Sequence, residues 1–279
     1  MAQGRSKTFY ILTAIFALYV LFLYGPTITI LILSFQGPDG GLTFPMNGVS
    51  THWFFNLFEK QAVGDFGASF RRSFSLGLMV MAVTVTVSLL AGLAFRRRFR
   101  GSTVLFYATV ASLVVPSIIV SLGIGVVFQE GGLKPAWYSS AFGAHLTWTL
   151  PFGVLIMFAV FNRFSPAYEE AARDLGASAW QTFRHVVLPM ILPSLIGVGL
   201  FGFTLSYDEF ARSLYTSGTF NTLPLEIYGM TTNVTTPVLY ALGTVTTGVS
   251  FLVIALALVS FTWVRRRRQR HGSDAGKAA

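Results

Sequence analysis

Six long apolar stretches, at residues 9–35, 73–95, 103–128, 142–161, 190–206 and 239–264, dominate this sequence. A bilayer core about 30 Å thick takes about 20 apolar residues in a helix. Inside lipid every backbone N–H and C=O must be satisfied within the protein, which leaves only helices and closed barrels. Barrel strands alternate apolar and polar positions over segments of about ten residues, whereas these runs are longer and continuously apolar. The sequence therefore predicts an all-α integral membrane protein with six transmembrane helices. Its charge content agrees: 11% of residues are charged, against about 25% in soluble domains, too few to cover a water-facing surface. The second, third and sixth stretches are the clearest. The first is interrupted by Tyr24-Gly25-Pro26, and the fifth is short and glycine-rich.

The basic residues set a direction. They gather at the ends of spans, as in Arg96-Arg97-Arg98-Phe99-Arg100 and the four arginines at 265–268. That is the pattern of topology anchors and not of a nucleic-acid surface. With the N-terminus in the cytoplasm, 15 of the 20 Lys and Arg fall on the cytoplasmic side and 5 outside. Residues 1–8 then form a cytoplasmic N-terminus, 9–264 the six-span domain, and 265–279 a basic cytoplasmic tail, which the small polar residues after Arg270 predict to be disordered. The first stretch lacks a small-residue cleavage site and is expected to be retained as a span. Arg71 and Arg72 lie on the outer side and are expected to snorkel. The outer connection at 36–72 opens on the turn cluster Gly37-Pro38-Asp39-Gly40-Gly41. Its Trp53-Phe54-Phe55-Leu57-Phe58 run suits either an interfacial helix or packing against the bundle.

Between the fourth and fifth stretches lies a polar connection, 165–189, much longer than a loop between spans needs to be. Ser165-Pro166 suits a helix start, with serine as N-cap and proline at the first helical position. Glu169 and Glu170 fall in the first turns, where the helix dipole favours negative charge. Gly176 is placed to end that helix. Ser178 with Gln181 forms a capping box for a second helix, whose Trp180, Phe183 and Val187 make an apolar stripe. Pro189 and Pro193 mark the start of the fifth span. Helix, turn, helix, with Ala171, Ala172 and Ala177 around the turn, is a shape against which a soluble partner can pack closely. A capped surface loop is the plainer alternative.

The residues Glu170-Ala171-Ala172, Gly176 four positions on, and Val186-x-Leu188-Pro189 resemble the EAA loop of binding-protein-dependent ABC importer permeases; Val186 stands where that pattern has Ile. The likeness extends to Arg173-Asp174-Leu175-Gly176-Ala177-Ser178, Leu205-Ser206-Tyr207-Asp208-Glu209-Phe210 and Leu223-Pro224-Leu225-Glu226, which are similar to spermidine/putrescine-type permease subunits. The resemblance implies a bacterial inner-membrane permease subunit that works with an ATPase subunit dimer, a second permease subunit and an extracytoplasmic solute-binding protein. It implies that Glu170, Ala171, Ala172, Asp174, Gly176, Leu188 and Pro189 couple to the ATPase, which binds the ATP and Mg. Related permeases carry opines, iron, thiamine, phosphonates or amino-acid derivatives, so the solute is less closely indicated than the family.

Within the chain no G-x-x-x-x-G-K-[ST] phosphate loop occurs, so no cofactor and no hydrolytic role is expected for it. The absence of cysteine removes thiol chemistry and Cys-based metal sites. His52, His145, His185 and His271 show no ligand spacing, and no metal site or catalytic residue is expected. Ionisable residues at a span end are functional candidates. Tyr207, Asp208 and Glu209 close the fifth span, and carboxylates beside an aromatic ring suit a cationic amine. A brace for an outer gate is the alternative role for them. Pro116, Pro151 and Gly123-Ile124-Gly125 are placed either to kink the middle spans around a cavity or to serve close packing. A stand-alone channel or secondary transporter is the rival class; against it, the spans show no acidic relay and no inverted repeat.

Overall fold

The computed structural model of the chain describes residues 6–57, 64–97, 99–233 and 237–275. Phe58 of the aromatic run and Arg5, Lys60, Arg98 and Lys277, counted among the basic residues above, lie outside the described residues. The described chain is helical: α1 (Lys7–Leu33), α2 (His52–Asn56), α3 (Phe66–Phe95), α4 (Ser102–Ala111), α5 (Ser117–Glu130), α6 (Phe142–Asn162), α7 (Ala167–Asp174), α8 (Ala179–Thr182), α9 (Leu188–Tyr207), α10 (Leu223–Asn233) and α11 (Val238–Ala275). π-Helical turns at Trp137–Ala141 and Phe183–Val187 lead directly into α6 and α9. Among the described residues, five continuous helices are long and apolar enough to cross a membrane: Lys7–Leu33, Phe66–Phe95, Trp137–Asn162, Ala179–Tyr207 and Val238–Leu256.

Four elements depart from the sequence expectation, each for a backbone reason. The third stretch is not one continuous helix. It is broken at residues 112–116 into α4 and α5, because Pro116 has no N–H to continue the helix and its ring disfavours the α conformation at Val115. Pro116 instead sits with ψ at 131° as the cap of α5. The Ser112 hydroxyl closes its own helix end on the Thr109 carbonyl and also reaches the Thr147 carbonyl of α6, which Pro151 leaves without its helical donor. Conversely, α1 runs unbroken through Pro26, where a membrane helix tolerates one lost hydrogen bond. The fifth span is longer than expected, because α8, its π-turn and α9 form one rod of 29 residues through Pro189 and Pro193. The last helix continues to Ala275, past Arg270, carried by Arg and Gln, which are good helix formers.

By internal packing the chain divides into two units, residues 1–65 with 227–249, and residues 66–226 with 250–279. In the first, the turn after α1 closes around buried Gln36, whose side chain donates to the carbonyl of Gly41 and accepts from the Asn47 N–H. Phe54 of α2 rests on Phe35, while Phe55 is exposed. The second unit is built on α3, α6 and α9. Met157, Phe161, Val187, Ile191, Leu195 and Val198 are buried there against Val85, Leu89 and Leu93. Gly92 brings α3 against α6: a side chain there would come within 2.9 Å of Met157, the use small residues have between membrane helices. Thr84 and Thr149 join the same two helices by a 2.8 Å hydroxyl bond.

Candidate functional site

The rod from α8 to α9 carries a candidate site at each end. At its start, α7 and α8 form the helix–turn–helix insert. The helix start falls one residue later than the sequence suggests: Pro166 takes the cap position, and no side chain caps α7. The turn closes as a Schellman motif. The Ala177 N–H donates to the carbonyl of Ala172 at 3.0 Å and the Gly176 N–H to that of Arg173 at 2.8 Å. This needs the left-handed backbone that Gly176 supplies, with φ at +83° and no heavy atom within 4 Å of where a Cβ would stand. Glycine is required here by conformation and not by crowding within the chain. Ser178 and Gln181 form the capping box, with bonds of 3.3 and 2.7 Å.

What the insert shows to solvent is unusual for an isolated surface. Leu175 is 89% exposed and Trp180 64%. Glu170, Ala171, Asp174 and Gly176 are exposed beside them, with Ala172 half-buried. Asp174 ends α7, where the helix dipole disfavours a carboxylate, so its presence does not serve the helix. Leu188 and Pro189 are half-buried at the π-turn junction. Of the apolar stripe, Val187 is buried in the core of α3, α6 and α9, while Trp180 leans on Phe183 with ring centroids 5.7 Å apart.

A second tie fixes the insert to α3. Arg96 donates to both Glu169 oxygens, at 2.7 and 2.8 Å. Its guanidinium lies over the rings of Phe161 and Phe164, at 5.2 and 5.3 Å. The bidentate hydrogen bond from Arg96 holds the Glu169 carboxyl below its ordinary range, against a smaller opposing effect of its own partial burial. Sequence reasoning took Arg96 as a topology anchor and Glu169 as a dipole-favoured helix residue. Nothing in a separation of 73 residues announces their pairing.

At the far end, Tyr207, Asp208 and Glu209 do not form one cluster. Tyr207 is buried, stacked on Phe203 and set edge-on to Phe70. Asp208 is exposed and caps α9. Glu209 turns inward to Arg212: Oε1 accepts from the Arg212 backbone N–H at 2.9 Å, and Oε2 lies 3.6 Å from Nη1. Arg212, counted from sequence as an outer-side charge, is 0% exposed. Its Nη1 donates to Ser117 Oγ at 2.6 Å and its Nε to Thr147 Oγ1 at 3.3 Å, and the guanidinium lies 4.5 Å from the centre of the Trp148 ring. Around it, Ser121 Oγ donates to the Arg212 carbonyl, and His145 bridges Ser206 and Ser213 at 2.8 and 2.9 Å. Gly125 lets α5 approach the same loop, since a Cβ there would meet the Tyr215 carbonyl at 2.7 Å; α5 runs unbroken through it and α6 through Pro151. Glu226 accepts from the Asn221 side chain at 2.8 Å. Among the described residues no group of three or more His, Cys, Asp or Glu could hold a metal.

Residues 84–270 match the family described as binding-protein-dependent transport system inner membrane component. The chain is 30% identical over 274 residues to the spermidine/putrescine transport system permease protein PotC of Escherichia coli K12, covering 97% of each chain. It is 28% identical over 266 residues to the putrescine transport system permease protein PotI of the same organism, covering 89% of each. Among solved structures, it resembles a bacterial ABC transporter involved in import of the acidic polysaccharide alginate, with TM-score 0.61, 17% identity, and 96% of this chain and 99% of that one covered.

Proposed function

Because the chain belongs to the family of binding-protein-dependent transport inner membrane components, a family of multi-pass inner-membrane permeases, we propose that it is the permease subunit of an ATP-driven importer, coupled to its ATPase through the insert at 165–189 and carrying a small organic cation such as a polyamine. The observation that carries the coupling role is the combination at the insert: a helix–turn–helix whose Glu170, Ala171, Asp174, Leu175 and Gly176 face solvent, on a base that cannot swing freely. Exposed Leu175 and Trp180 supply apolar contact area, and a close-approach turn at Gly176 supplies the fit. The base is held twice, by the unbroken helix into α9 and by Arg96–Glu169.

In this reading the insert faces the cytoplasm and an ATPase dimer seats against it. When that dimer closes on ATP, it displaces α7 and α8. The rod from α8 to α9 carries the displacement into the α3, α6 and α9 core as a rigid-body movement. An extracytoplasmic binding protein delivers the solute at the opposite side, and a second permease subunit completes the pathway. The organic-cation assignment rests on the polyamine relatives and on the carboxylates Asp208 and Glu209. The test is uptake of putrescine and spermidine in cells holding the full set of subunits. Uptake is expected to stop when the phosphate-loop lysine of the ATPase is replaced, and the ATPase to co-purify with this chain. Uptake that persists without an ATPase would sink the coupling role.

A further inference from the structure

The surroundings of Arg212 are those of a cation-binding site that already holds a cation. A carboxylate (Glu209), an aromatic face (Trp148) and two hydroxyls (Ser117 and Thr147) converge on one guanidinium with no exposed surface. An aromatic face with a carboxylate and hydroxyls is the usual chemistry for an organic ammonium or guanidinium. The fit to Arg212 itself is incomplete. Nη2 is buried without a hydrogen-bond partner among the described residues, and Oε2 of Glu209 approaches Nη1 only to 3.6 Å, beyond a good charge-assisted hydrogen bond. A buried arginine kept only to staple the loop would be expected to have its donors satisfied, since each unmet buried donor costs free energy.

The site also lies where the helical fold opens. The break at 112–116 in the third apolar stretch and the non-helical segment at 208–222 meet here, through Arg212 to Ser117 and Ser121 to the Arg212 carbonyl. Irregular backbone at membrane depth survives where protein or a cavity surrounds it, and broken helices hold solute sites in transporters. Emptying the site would leave Glu209, whose side chain is only 11% exposed, with the Arg212 backbone N–H but no counter-charge, which costs free energy. Exchanging one cation for another avoids that cost.

We propose that Glu209, Trp148, Ser117 and Thr147 form the cage that recognises the cationic group of the imported solute, and that Arg212 fills it as a tethered surrogate which a solute ammonium or guanidinium group displaces. The inference deepens the organic-cation reading and rests on it. Arg212 then sets specificity in two ways. It admits only cations able to compete with a guanidinium, and it keeps the cage closed to water and small ions when no solute is present.

Two measurements on the assembled complex test this. In Arg212→Gln, which keeps a hydrogen-bonding group but no charge, the KM for putrescine uptake is expected to fall about tenfold, because the competing occupant is gone. Adding Glu209→Gln should remove that gain. An unchanged KM with only a lowered maximal rate would make Arg212 a structural staple and overturn the proposal. In purified Arg212→Ala complex, millimolar guanidinium chloride should raise Tm relative to equal sodium chloride, putrescine should compete with it, and Glu209→Gln should abolish both effects. No stabilisation by either cation overturns the cage. If the wild-type complex imports no amine while the Arg212→Ala complex still binds guanidinium and putrescine competitively, the organic-cation reading fails and the cage stands.

Discussion

The two ends of the α8–α9 rod solve opposite problems. At the insert, the residues that matter face outward, and their positions are set by neighbours a few residues away: a capping box, a left-handed glycine, a Schellman pair of hydrogen bonds. At the far end Glu209 and Arg212 are turned inward, and Arg212 is placed by groups 65 and 95 residues away, on α6 and α5. An exposed surface held by local geometry is suited to a partner that docks. A buried, imperfectly satisfied charge cluster is suited to something that must be opened. The first is stiff and waiting for contact, and the second is closed and waiting for exchange.

The comparison breaks most visibly at Gly176. Gly176→Val forces a β-branched residue to φ +83°, at a cost of about 2 kcal/mol, and puts a side chain where the partner is to sit. Uptake is expected to fall more than about a hundredfold while the chain still inserts, since two lost kcal/mol at the turn add to a lost docking contact. Gly176→Ala separates the two effects. It has no clash to make inside the chain and costs about 1 kcal/mol for placing a Cβ in the left-handed region. If its thermal stability is near wild type yet ATPase co-purification fails, the glycine serves the partner. Normal co-purification with both variants would remove the insert from the interface.

At the other end the neighbouring carboxylates should behave unlike each other. Glu209→Gln leaves the buried Arg212 guanidinium without its counter-charge, and should destabilise the purified complex by about 3 kcal/mol. Asp208→Asn, at an exposed position, should change stability by less than about 0.5 kcal/mol, with any effect confined to the KM for putrescine. Denaturation of the two single variants side by side checks this. Equal losses would mean that the inward and outward carboxylates share one role, and the contrast between them would disappear.

These two ends also mark what could be foreseen. The helix–turn–helix, its Gly176 stop and the Ser178–Gln181 box follow from residues three to five apart, so the sequence suffices to place them. The long apolar runs likewise announce helices, although not which proline breaks one: Pro116 opens the third run, while Pro26, Pro151, Pro189 and Pro193 are absorbed. The difference lies in whether nearby groups can satisfy the freed carbonyls without leaving the helix, as Ser112 does for Pro151 by donating to the Thr147 carbonyl four residues before it on α6, and that is a tertiary matter. Arg96 and Arg212 were visible only as charges on a side of the membrane. Their partners, Glu169 and the Trp148 face, are brought to them by the packing of α3, α6 and α9, which no local pattern encodes.

The smallest expected effect concerns how firmly the exposed end is held. Glu169 is held below the ordinary carboxylate value by the Arg96 bidentate pair. A group with a lowered folded pKa contributes stability above its unfolded value, about 4.3, and loses it as pH falls through the folded value. The clamp should therefore be constant from pH 8 down to about 5 and weaken only in stronger acid. The chain has no cysteine, so Ala171→Cys offers a single site for a nitroxide label on the exposed face of α7. Its mobility should be flat across the neutral range and rise as pH falls below the carboxylate range. In Glu169→Gln, which keeps shape but removes the charge, the label should be mobile at every pH, by an amount matching a partly exposed pair worth about 1 kcal/mol. A label equally immobile in both proteins would mean that continuity with α9 alone steadies the insert, and that Arg96 contributes only its stacking on Phe161 and Phe164.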